Sequence, residues 1–549
     1  MAPSVAVLPQ VSGTSLDGGE VYPCPSKRRK LSADDSERLL KHGHAVTDGE
    51  EESEASASRV PKHPLGVRPL GNLYDATEPN IRTKCGTMAL LPDELIIQIL
   101  ELLDARDLVH LGSACRAFYA LTRSDDLWKA LFIECPPRSF AWRGSWRATH
   151  LSMPLSPRPI KCLGLYSDAL YRPFQCAHTP LRPFTESIPA ANRIPRLHDL
   201  SARSFTEDGW AERPFILTDP VKSWRAYKEW STSHLLSRYG KTAFRAEAVD
   251  WPLATYVNYM HDCTDDESPL YLFDCAFVEK MGLRVPEDGV SAAQSQLEDE
   301  YDYIPPTTFH PDLFSPLAAQ RPHHRWIILG PARSGSTFHK DPNATSAWNA
   351  VLRGSKYWIM FPSGADIPSP PGVYVSADQS EVTSPLSIAE WLLSFHAEAR
   401  RTKGCMEGIC GEGEVLYVPS GWYHLVLNLE ESLAITQNFV PRAHLANALE
   451  FMRDRPEQVT GFKKDVKDPY GLFVERLRET HGCEMVEQGL REVEQKTRSK
   501  KEKGKWETLV EGHGEDGDGG GFSFGFGLDG RNSDDDDDDA VDAVVDRVE

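Results

Sequence analysis

Ser336-Thr337-Phe338-His339-Lys340-Asp341-Pro342 is the segment from which the rest of the chain is read. His339 and Asp341 stand two residues apart. In an extended segment alternate side chains share a face, so both point the same way. An imidazole and a carboxylate on one face supply two sides of a metal site. An isolated H-x-D triplet carries little weight; its surroundings decide. Here it follows the apolar run Trp326-Ile327-Ile328-Leu329-Gly330 across the loop Pro331-Ala332-Arg333-Ser334-Gly335. Far downstream, His424 closes Pro419-Ser420-Gly421-Trp422-Tyr423-His424, just after the run Glu414–Val418. Both candidate sources of ligands therefore lie at strand ends.

Working outward, the same texture repeats. Arg213–Asp219, Ser268–Asp274, Lys356–Phe361 and Leu433–Phe439 are short apolar runs separated by Gly- and Pro-containing turns. Many short strands with such turns predict an all-β sandwich or jelly roll, whose mouth is a natural small-molecule site. Two histidines and one carboxylate, with open positions opposite, form the ligand set of a non-haem Fe(II) centre. Such a centre can hold a 2-oxo acid at two open positions and dioxygen at a third. The far carboxylate of that acid needs a cation, and Lys356 opens an apolar strand on which period-2 alternation aligns it with Trp358 and Met360. An interior lysine is costly without a buried anion, whereas a lysine at a solvated strand end simply snorkels. The residues alone leave both readings of Lys356 open.

The flanks differ in kind. Residues 1–83 are rich in Ser, Gly, Pro and acids and read as a disordered arm. Within it, Pro25-Ser26-Lys27-Arg28-Arg29-Lys30-Leu31 is a compact basic run of the sort that nuclear import receptors recognise, so a nuclear location is expected. From Leu90 the pattern turns helical. Pro92, Asp93 and Glu94 open a first helix bearing Ile96, Ile99, Leu100 and Leu103, and Asp107 is placed to cap a second. Residues 136–205 read as a wrapping linker with short helices. Beyond Pro441 helices return through about residue 495. Residues 496–549, basic from Lys496 to Lys505 and then Gly-rich with the acidic run Asp534–Asp539, read as a disordered tail.

Composition narrows the classes. The chain has 549 residues, more than one domain's worth, and a net charge of −21, which disfavours nucleic acid as a partner of the whole chain while leaving local basic patches open to RNA. No apolar run is long enough to cross a membrane, and the N-terminus lacks the apolar core of a signal peptide. The 11 scattered cysteines fit a reducing compartment better than a disulfide framework, and Cys405 and Cys410 read as ordinary thiols.

Two resemblances go further. Leu91-Pro92-x-Glu94-Leu95, Ile99-Leu100, Leu102-Leu103, Asp107-Leu108, Leu111, Cys115-Arg116 and Leu127-Trp128 resemble an F-box, placed here at residues 84–135. That resemblance implies docking to the Skp-type adaptor of a cullin-RING ubiquitin ligase. Ser336–Pro342 with Thr345–Ala350, Gly354-x-Lys356, Gly413–His424, Leu427–Leu429, Ala434–Phe439 and Pro269–Asp274 are similar to the JmjC-domain oxygenases, within the branch of phosphatidylserine-receptor-type lysyl hydroxylases and arginine demethylases. The implied domain, 206–455, is a double-stranded β-helix of cupin type. The resemblance implies that His339, Asp341 and His424 bind Fe(II), that Lys356 binds the far carboxylate of 2-oxoglutarate, and that Asn349, Tyr271, Thr436 and Ser336 help hold it. Ser336 stands where that branch usually has Thr. The implied chemistry uses O2 and turns 2-oxoglutarate into succinate and carbon dioxide while a substrate carbon is hydroxylated. An oxidised methylene keeps its hydroxyl, and an oxidised N-methyl is lost. Three functions are open at this point: a protein hydroxylase or demethylase acting on histone or splicing-type basic proteins, a non-catalytic substrate adaptor, and an RNA- or tRNA-directed oxygenase.

Overall fold

The computed structural model describes residues 60–71, 80–137, 139–153, 159–286, 301–364, 367–376 and 381–511. Among these described residues, those up to Val493 form one compact unit and those from Glu494 a second. The strands, in chain order, are β1 (Arg196–Leu197), β2 (Phe215–Leu217), β3 (Ala243–Ala246), β4 (Val249–Pro252), β5 (Leu272–Asp274), β6 (Arg325–Gly330), β7 (Gly335–His339) and β8 (Ser346–Arg353), then β9 (Lys356–Phe361), β10 (Tyr374–Val375), β11 (Val382–Thr383), β12 (Met406–Cys410), β13 (Val415–Val418), β14 (Tyr423–Asn428) and β15 (Ser432–Phe439).

Strand β9 shows why these runs become strands. Its odd side chains Tyr357, Ile359 and Phe361 pack with Trp391 and Leu392 of the helix Ile388–Ala399. Trp358 and Met360 pack on the other side with Ile216, Val351, Leu416 and Val426. Both faces are buried, so the strand reads as an unbroken apolar run while keeping its period of two. Two sheets result. The larger has the order β1-β2-β13-β8-β15-β6-β5-β3-β4 and the smaller β12-β9-β14-β7. Their facing sides enclose the cluster around Trp358, Met360 and Val418, which is the interior of a cupin-type jelly roll. The outer face of the larger sheet, with Trp348, Tyr417 and Ile435, belongs to the same core as the N-terminal helices.

Those helices are Asp93–Leu100, Ala105–Leu111, Arg116–Leu121 and Asp125–Glu134. Ile96 and Leu100 are buried one turn apart on the first, Leu108 on the second and Phe132 on the fourth; side chains of this size contribute about 1.5–3 kcal/mol each when removed from water. Phe132 meets Trp251 of β4 edge-on at 5.8 Å. The bundle is thus packed directly on the barrel's helical and strand periphery. The second helix is capped by Asp104, whose carboxylate accepts from the Asp107 N–H, and not by Asp107, which sits in the first turn. Either acid satisfies the sequence pattern; the backbone starts its helix three residues earlier.

The arm expected to be disordered to residue 83 is ordered in part. Residues 60–71 pair with the segment 162–168, with Cys162 N–H bonding Leu65 O at 2.7 Å and Arg68 N–H bonding Leu165 O at 3.0 Å. Leu65 and Val67 are buried there, a two-residue stripe too short to stand out in a polar arm. Residues Ile81–Lys84 form a short 3-10 helix. At the other end the helix beginning at Cys483 runs to Glu511, past the expected onset of the tail at 496. Its Lys- and Glu-rich sequence has high helix propensity despite carrying little apolar stripe. The basic run Lys27–Lys30 and the acidic run Asp534–Asp539 lie outside the described residues. The helices Leu445–Asp454 and Pro469–His481 close the barrel's flank through Leu449, Phe473 and Leu477. Among the described residues no helix is long and apolar enough to cross a membrane, and the described cysteines are free thiols.

Candidate active site

β7 and β14 are adjacent antiparallel strands, and they set His339 opposite His424. The next paired residues are Ser336 and Val426, so three steps along β7 match two along β14. An extra residue on one strand is a bulge, and it breaks the alternation of side chains. Ser336 thereby joins His339 on the barrel-facing side, while Phe338 turns out onto Trp391 at 4.9 Å. Gly335 permits the close approach: a Cβ there would come within 2.0 Å of the Val426 carbonyl oxygen.

His339, Asp341 and His424 present one ligand atom each within 4.8 Å of one another. The imidazole centroids are 4.1 Å apart. Each ring is oriented by backbone: His339 Nδ1–H donates to Thr337 O at 2.7 Å and His424 Nδ1–H to Trp422 O at 3.2 Å. A carbonyl only accepts, so the proton sits on Nδ1 and the Nε2 lone pair is left for a metal. Burial, with the neighbouring His424, brings His339 down to about 4, and burial brings His424 to about 4. Both rings are therefore neutral at pH 7, the state a ligand requires. Asp341 Oδ1 accepts from Asn438 Nδ2 at 3.2 Å, but Oδ2 is buried with no partner, and burial raises this carboxyl. An unmet carboxylate lone pair between two free imidazole nitrogens suits a divalent cation.

Lys356 lies across the same smaller sheet, opposite Asn428. Its side chain is fully buried, which removes the snorkelling alternative. Nζ donates to Tyr271 Oη and Asn428 Oδ1, both at 2.8 Å, and neither partner carries charge. Burial pushes the ammonium down to about 7. Asn349 on β8 is buried, and its Oδ1 has no partner. It faces Thr436 on β15. The Thr436 hydroxyl donates to the Trp348 carbonyl at 2.8 Å, so only its lone pairs face the barrel. The fold thus brings the eight residues singled out in the sequence to one interior. Three converge as a metal set, Tyr271 and Lys356 touch, Asn349 and Thr436 are cross-strand neighbours, and Ser336 reaches the same face through the bulge.

Sequence reading passed over three contributors. Asn438 shares a strand face with Thr436 and bridges Asp341 to Thr345 Oγ1 at 2.9 Å. Its parity with Thr436 was the available signal. Asn428 holds Lys356 and donates onward to Ser334 Oγ at 2.9 Å; only the register of β9 on β14 reveals it. Phe273 stacks on Trp326 at 5.2 Å and stays 39 % exposed. Trp326 is the direct partner of Thr436, which sets this aromatic pair on the same face of the larger sheet. A second cluster, Cys176, Glu267 and Glu390, also has metal-like spacing. There Arg172 already pairs with Glu390 at 3.2 Å and the Arg333 guanidinium bonds the Cys176 carbonyl, so two cations already stand beside it.

Comparison with known proteins agrees with this fold. Residues 202–444 match the cupin-like domain family, and residues 88–134 match the F-box-like family. The arginine-specific demethylase JMJ22 of Arabidopsis thaliana is 38 % identical over 443 residues, covering 76 % of this chain and 84 % of the relative. The bifunctional arginine demethylase and lysyl-hydroxylase psr-1 of Caenorhabditis elegans is 31 % identical over 280 residues, 48 % of this chain and 64 % of the relative. The 2-oxoglutarate and iron-dependent oxygenase JMJD4 of Danio rerio is 31 % identical over 137 residues, 25 % of this chain and 31 % of the relative. With a demethylase aligned over most of its length, and with the jelly roll and helical bundle in the order the two family matches require, the chain belongs to the JmjC family of cupin-fold, iron- and 2-oxoglutarate-dependent oxygenases and carries an F-box-like domain ahead of its barrel.

Proposed function

We propose that this protein oxidises side chains of a basic protein substrate, removing N-methyl groups from arginine or hydroxylating lysine. His339, Asp341 and His424 would hold Fe(II), and Lys356, Asn349, Tyr271, Thr436 and Ser336 would hold 2-oxoglutarate. The observation that carries the reading is Lys356: a lysine with no exposure and no carboxylate partner, beside a three-ligand set. Burying an ammonium without an anion is expensive, and a cosubstrate carboxylate relieves that cost when it binds. When bound, the iron supplies the oxidising power for breaking a C–H bond at the expense of 2-oxoglutarate and O2. The protein's own residues do the rest. The Nδ1–H bonds to Thr337 and Trp422 keep both imidazoles in the ligating tautomer. Asn438 orients the Asp341 carboxylate. The unpartnered Asn349 Oδ1 and the lone pairs of Thr436 line the wall that the cosubstrate would face. The Phe273 ring, stacked on Trp326 by one face and partly exposed, suits contact with a guanidinium or ammonium side chain. The printed activities of JMJ22 and psr-1 support arginine and lysine as targets.

The F-box-like bundle leaves Leu90, Leu95 and Leu102 exposed at 91 %, 43 % and 86 %. An apolar helical surface of this kind supports docking of a Skp-type adaptor, which would link the oxygenase to a cullin-RING ubiquitin ligase. The basic run Lys27–Lys30 supports a nuclear location. A pure adaptor role is disfavoured because all of the groups proposed for iron and cosubstrate are present. The test is purified protein with Fe(II), 2-oxoglutarate and methylarginine- or lysine-containing peptides, read by mass spectrometry. Gain of one oxygen marks hydroxylation and loss of a methylene unit marks demethylation. His339→Ala should abolish turnover, by about a thousandfold or more, because the several kcal/mol supplied by a bound metal go with it. Turnover that survives His339→Ala would overturn the assignment.

A further inference from the structure

Tyr271 holds Lys356, yet the stretch that carries it is not held by the sheet. The ladder between β5 and β6 begins only at Leu272, opposite Leu329. The two preceding amides find side chains instead. Leu270 N–H donates to Tyr259 Oη at 2.7 Å, and Tyr271 N–H donates to a Glu247 carboxylate oxygen at 3.1 Å. Leu272 N–H adds a bond to Tyr256 Oη at 3.1 Å. Backbone groups this deep must be paired, so the position of Tyr271 depends on those side chains.

Tyr259, the first of these, depends in turn on one buried carboxylate. Asp266 is 5 % exposed. It accepts from Tyr259 Oη at 2.8 Å, from Trp146 Nε1 at 2.9 Å and from Ser268 N–H at 3.0 Å. Its counter-charge comes from the F-box-like bundle: Lys129, on the helix Asp125–Glu134, places Nζ 3.1 Å from both carboxylate oxygens and 2.6 Å from Ser268 O. Lys129 is itself only 15 % exposed. The same ammonium acts on Glu247, whose carboxyl burial pushes up against the pull of Lys129, to about 7. Glu247 sits at φ +50°, a backbone region that non-glycine residues rarely adopt. A strained position whose side chain bonds the Tyr271 amide fits a residue kept for that bond.

We propose that Lys129 is a positioning residue of the oxygenase: from the F-box-like bundle it neutralises Asp266, and through Tyr259 it fixes the segment that presents Tyr271 to Lys356. The bundle is then part of the enzyme's working structure as well as a docking module. This rests on the reading of Lys356 and Tyr271 as cosubstrate groups.

The test uses the full-length protein with Mn(II) as a non-turnover metal. It measures 2-oxoglutarate binding by calorimetry and amide hydrogen exchange at residues 270–272. Lys129→Met should weaken 2-oxoglutarate binding by about tenfold, the low end for loss of an outer-shell partner, and should speed exchange at 270–272 while the amides of β15 keep their protection. Lys129→Arg should recover most of both. Because Lys129→Met removes a buried charge, Tyr259→Phe is the second variant: it cuts the relay to Leu270 without changing charge and should move both readouts the same way. Unchanged binding and exchange in a folded Lys129→Met, or in Tyr259→Phe where Lys129→Met does not fold, overturns the proposal. Lys356→Ala is run alongside. If Lys356→Ala loses binding and the relay variants do not, the positioning role alone fails. If Lys356→Ala binds normally, the cosubstrate reading fails and takes the positioning role with it.

Discussion

Lys129 and Lys356 are both buried, and they are buried in opposite ways. Lys129 sits against the Asp266 carboxylate at 3.1 Å. Burial alone would lower its pKa, but Asp266, joined by Glu247 and Asp126, outweighs burial and holds the ammonium above its ordinary value. Lys356 has only a phenol and an amide oxygen for company, and burial takes it down to about 7. The first lysine is a finished ion pair inside the fold. The second is half of one. On the proposed function the missing half is an anion that comes from outside, and that would separate a structural lysine from a binding lysine when both are out of water.

The sharpest way to break the comparison is to remove each ammonium in turn. Lys129→Met leaves Asp266 buried without its counter-charge and should destabilise the protein by about 3–5 kcal/mol, the usual cost of breaking a buried pair from one side. Lys356→Met strands no charge. It should leave the metal-free, cosubstrate-free protein as stable as before or more so, while 2-oxoglutarate affinity falls by about a hundredfold, the loss expected for truncating one side of a buried charged contact. Urea unfolding and calorimetric titration read the two effects separately. Equal destabilisation by both variants would mean that Lys356 already has its anion and is structural.

The pH dependence sharpens the same contrast. With a folded-state pKa near 7 against an ordinary 10.5, Lys356 binds fewer protons folded than unfolded between those values. Stability of the cosubstrate-free protein should therefore rise as pH increases from about 7 toward 10, with a limiting slope of about 1.4 kcal/mol per pH unit. Below pH 7 both states are protonated and the penalty is complete. A bound dicarboxylate restores the ammonium and should flatten the slope. His339 and His424 titrate in a separate window, between about 4 and their ordinary 6.5, so they do not blur it. Denaturant midpoints from pH 6 to 10, with and without 2-oxoglutarate and Mn(II), check this; Lys356→Met should lose the rise that begins near pH 7 and keep only that of Lys340, which burial lowers to about 8.

How much of this was legible in the sequence follows from what each feature depends on. Strand identity depends on local pattern, and runs such as Lys356–Phe361 and Leu433–Phe439 declared it. The three metal-binding candidates were visible because H-x-D closes one apolar run and a later histidine follows another, although that histidine proves to open β14. Register is a tertiary quantity, and what depends on it was hidden. Asn428 matters because it pairs with Lys356 across β9 and β14, and Ser336 shares a face with His339 only because a bulge interrupts β7. Strict alternation would have placed Thr337 there. Helix starts failed for a different reason: Asp104 and Asp107 are both acceptable caps locally, and packing of the bundle chose the earlier one. The burial of Leu65 and Val67 could not be read from a polar arm, because their partners lie about a hundred residues away at Cys162 and Leu165.

Asn438 tests whether a neutral partner matters less than a charged one. It holds Asp341 through a single bond of 3.2 Å and has a second anchor on Thr345. Asn438→Ala should weaken Fe(II) or Mn(II) binding by about tenfold, since a ligand's orienting partner is typically worth that much, and should leave 2-oxoglutarate-independent stability within about 1 kcal/mol of the parent. Asn438→Asp should do worse than Ala, because it sets a second carboxylate beside Asp341. If metal affinity is unmoved by both variants, Asp341 is oriented by its backbone alone.

The smallest effect on the oxygenase is expected from the other face of the F-box-like bundle. Leu102 is 86 % exposed, whereas Lys129, three helices on in the same bundle, is turned into the barrel's flank. A surface leucine has little to lose in the isolated protein, so Leu102→Asp should shift stability by less than about 0.5 kcal/mol and 2-oxoglutarate affinity by less than twofold. Capture of a Skp-type adaptor should fall sharply, since a charge in the core of an apolar interface is poorly tolerated. One bundle would then carry two separable roles, an inward lysine that serves the barrel and outward leucines that serve a partner. Loss of cosubstrate affinity in Leu102→Asp would show instead that the two faces are coupled through the bundle, and that an adaptor docked on the leucines reaches the iron site by way of Lys129.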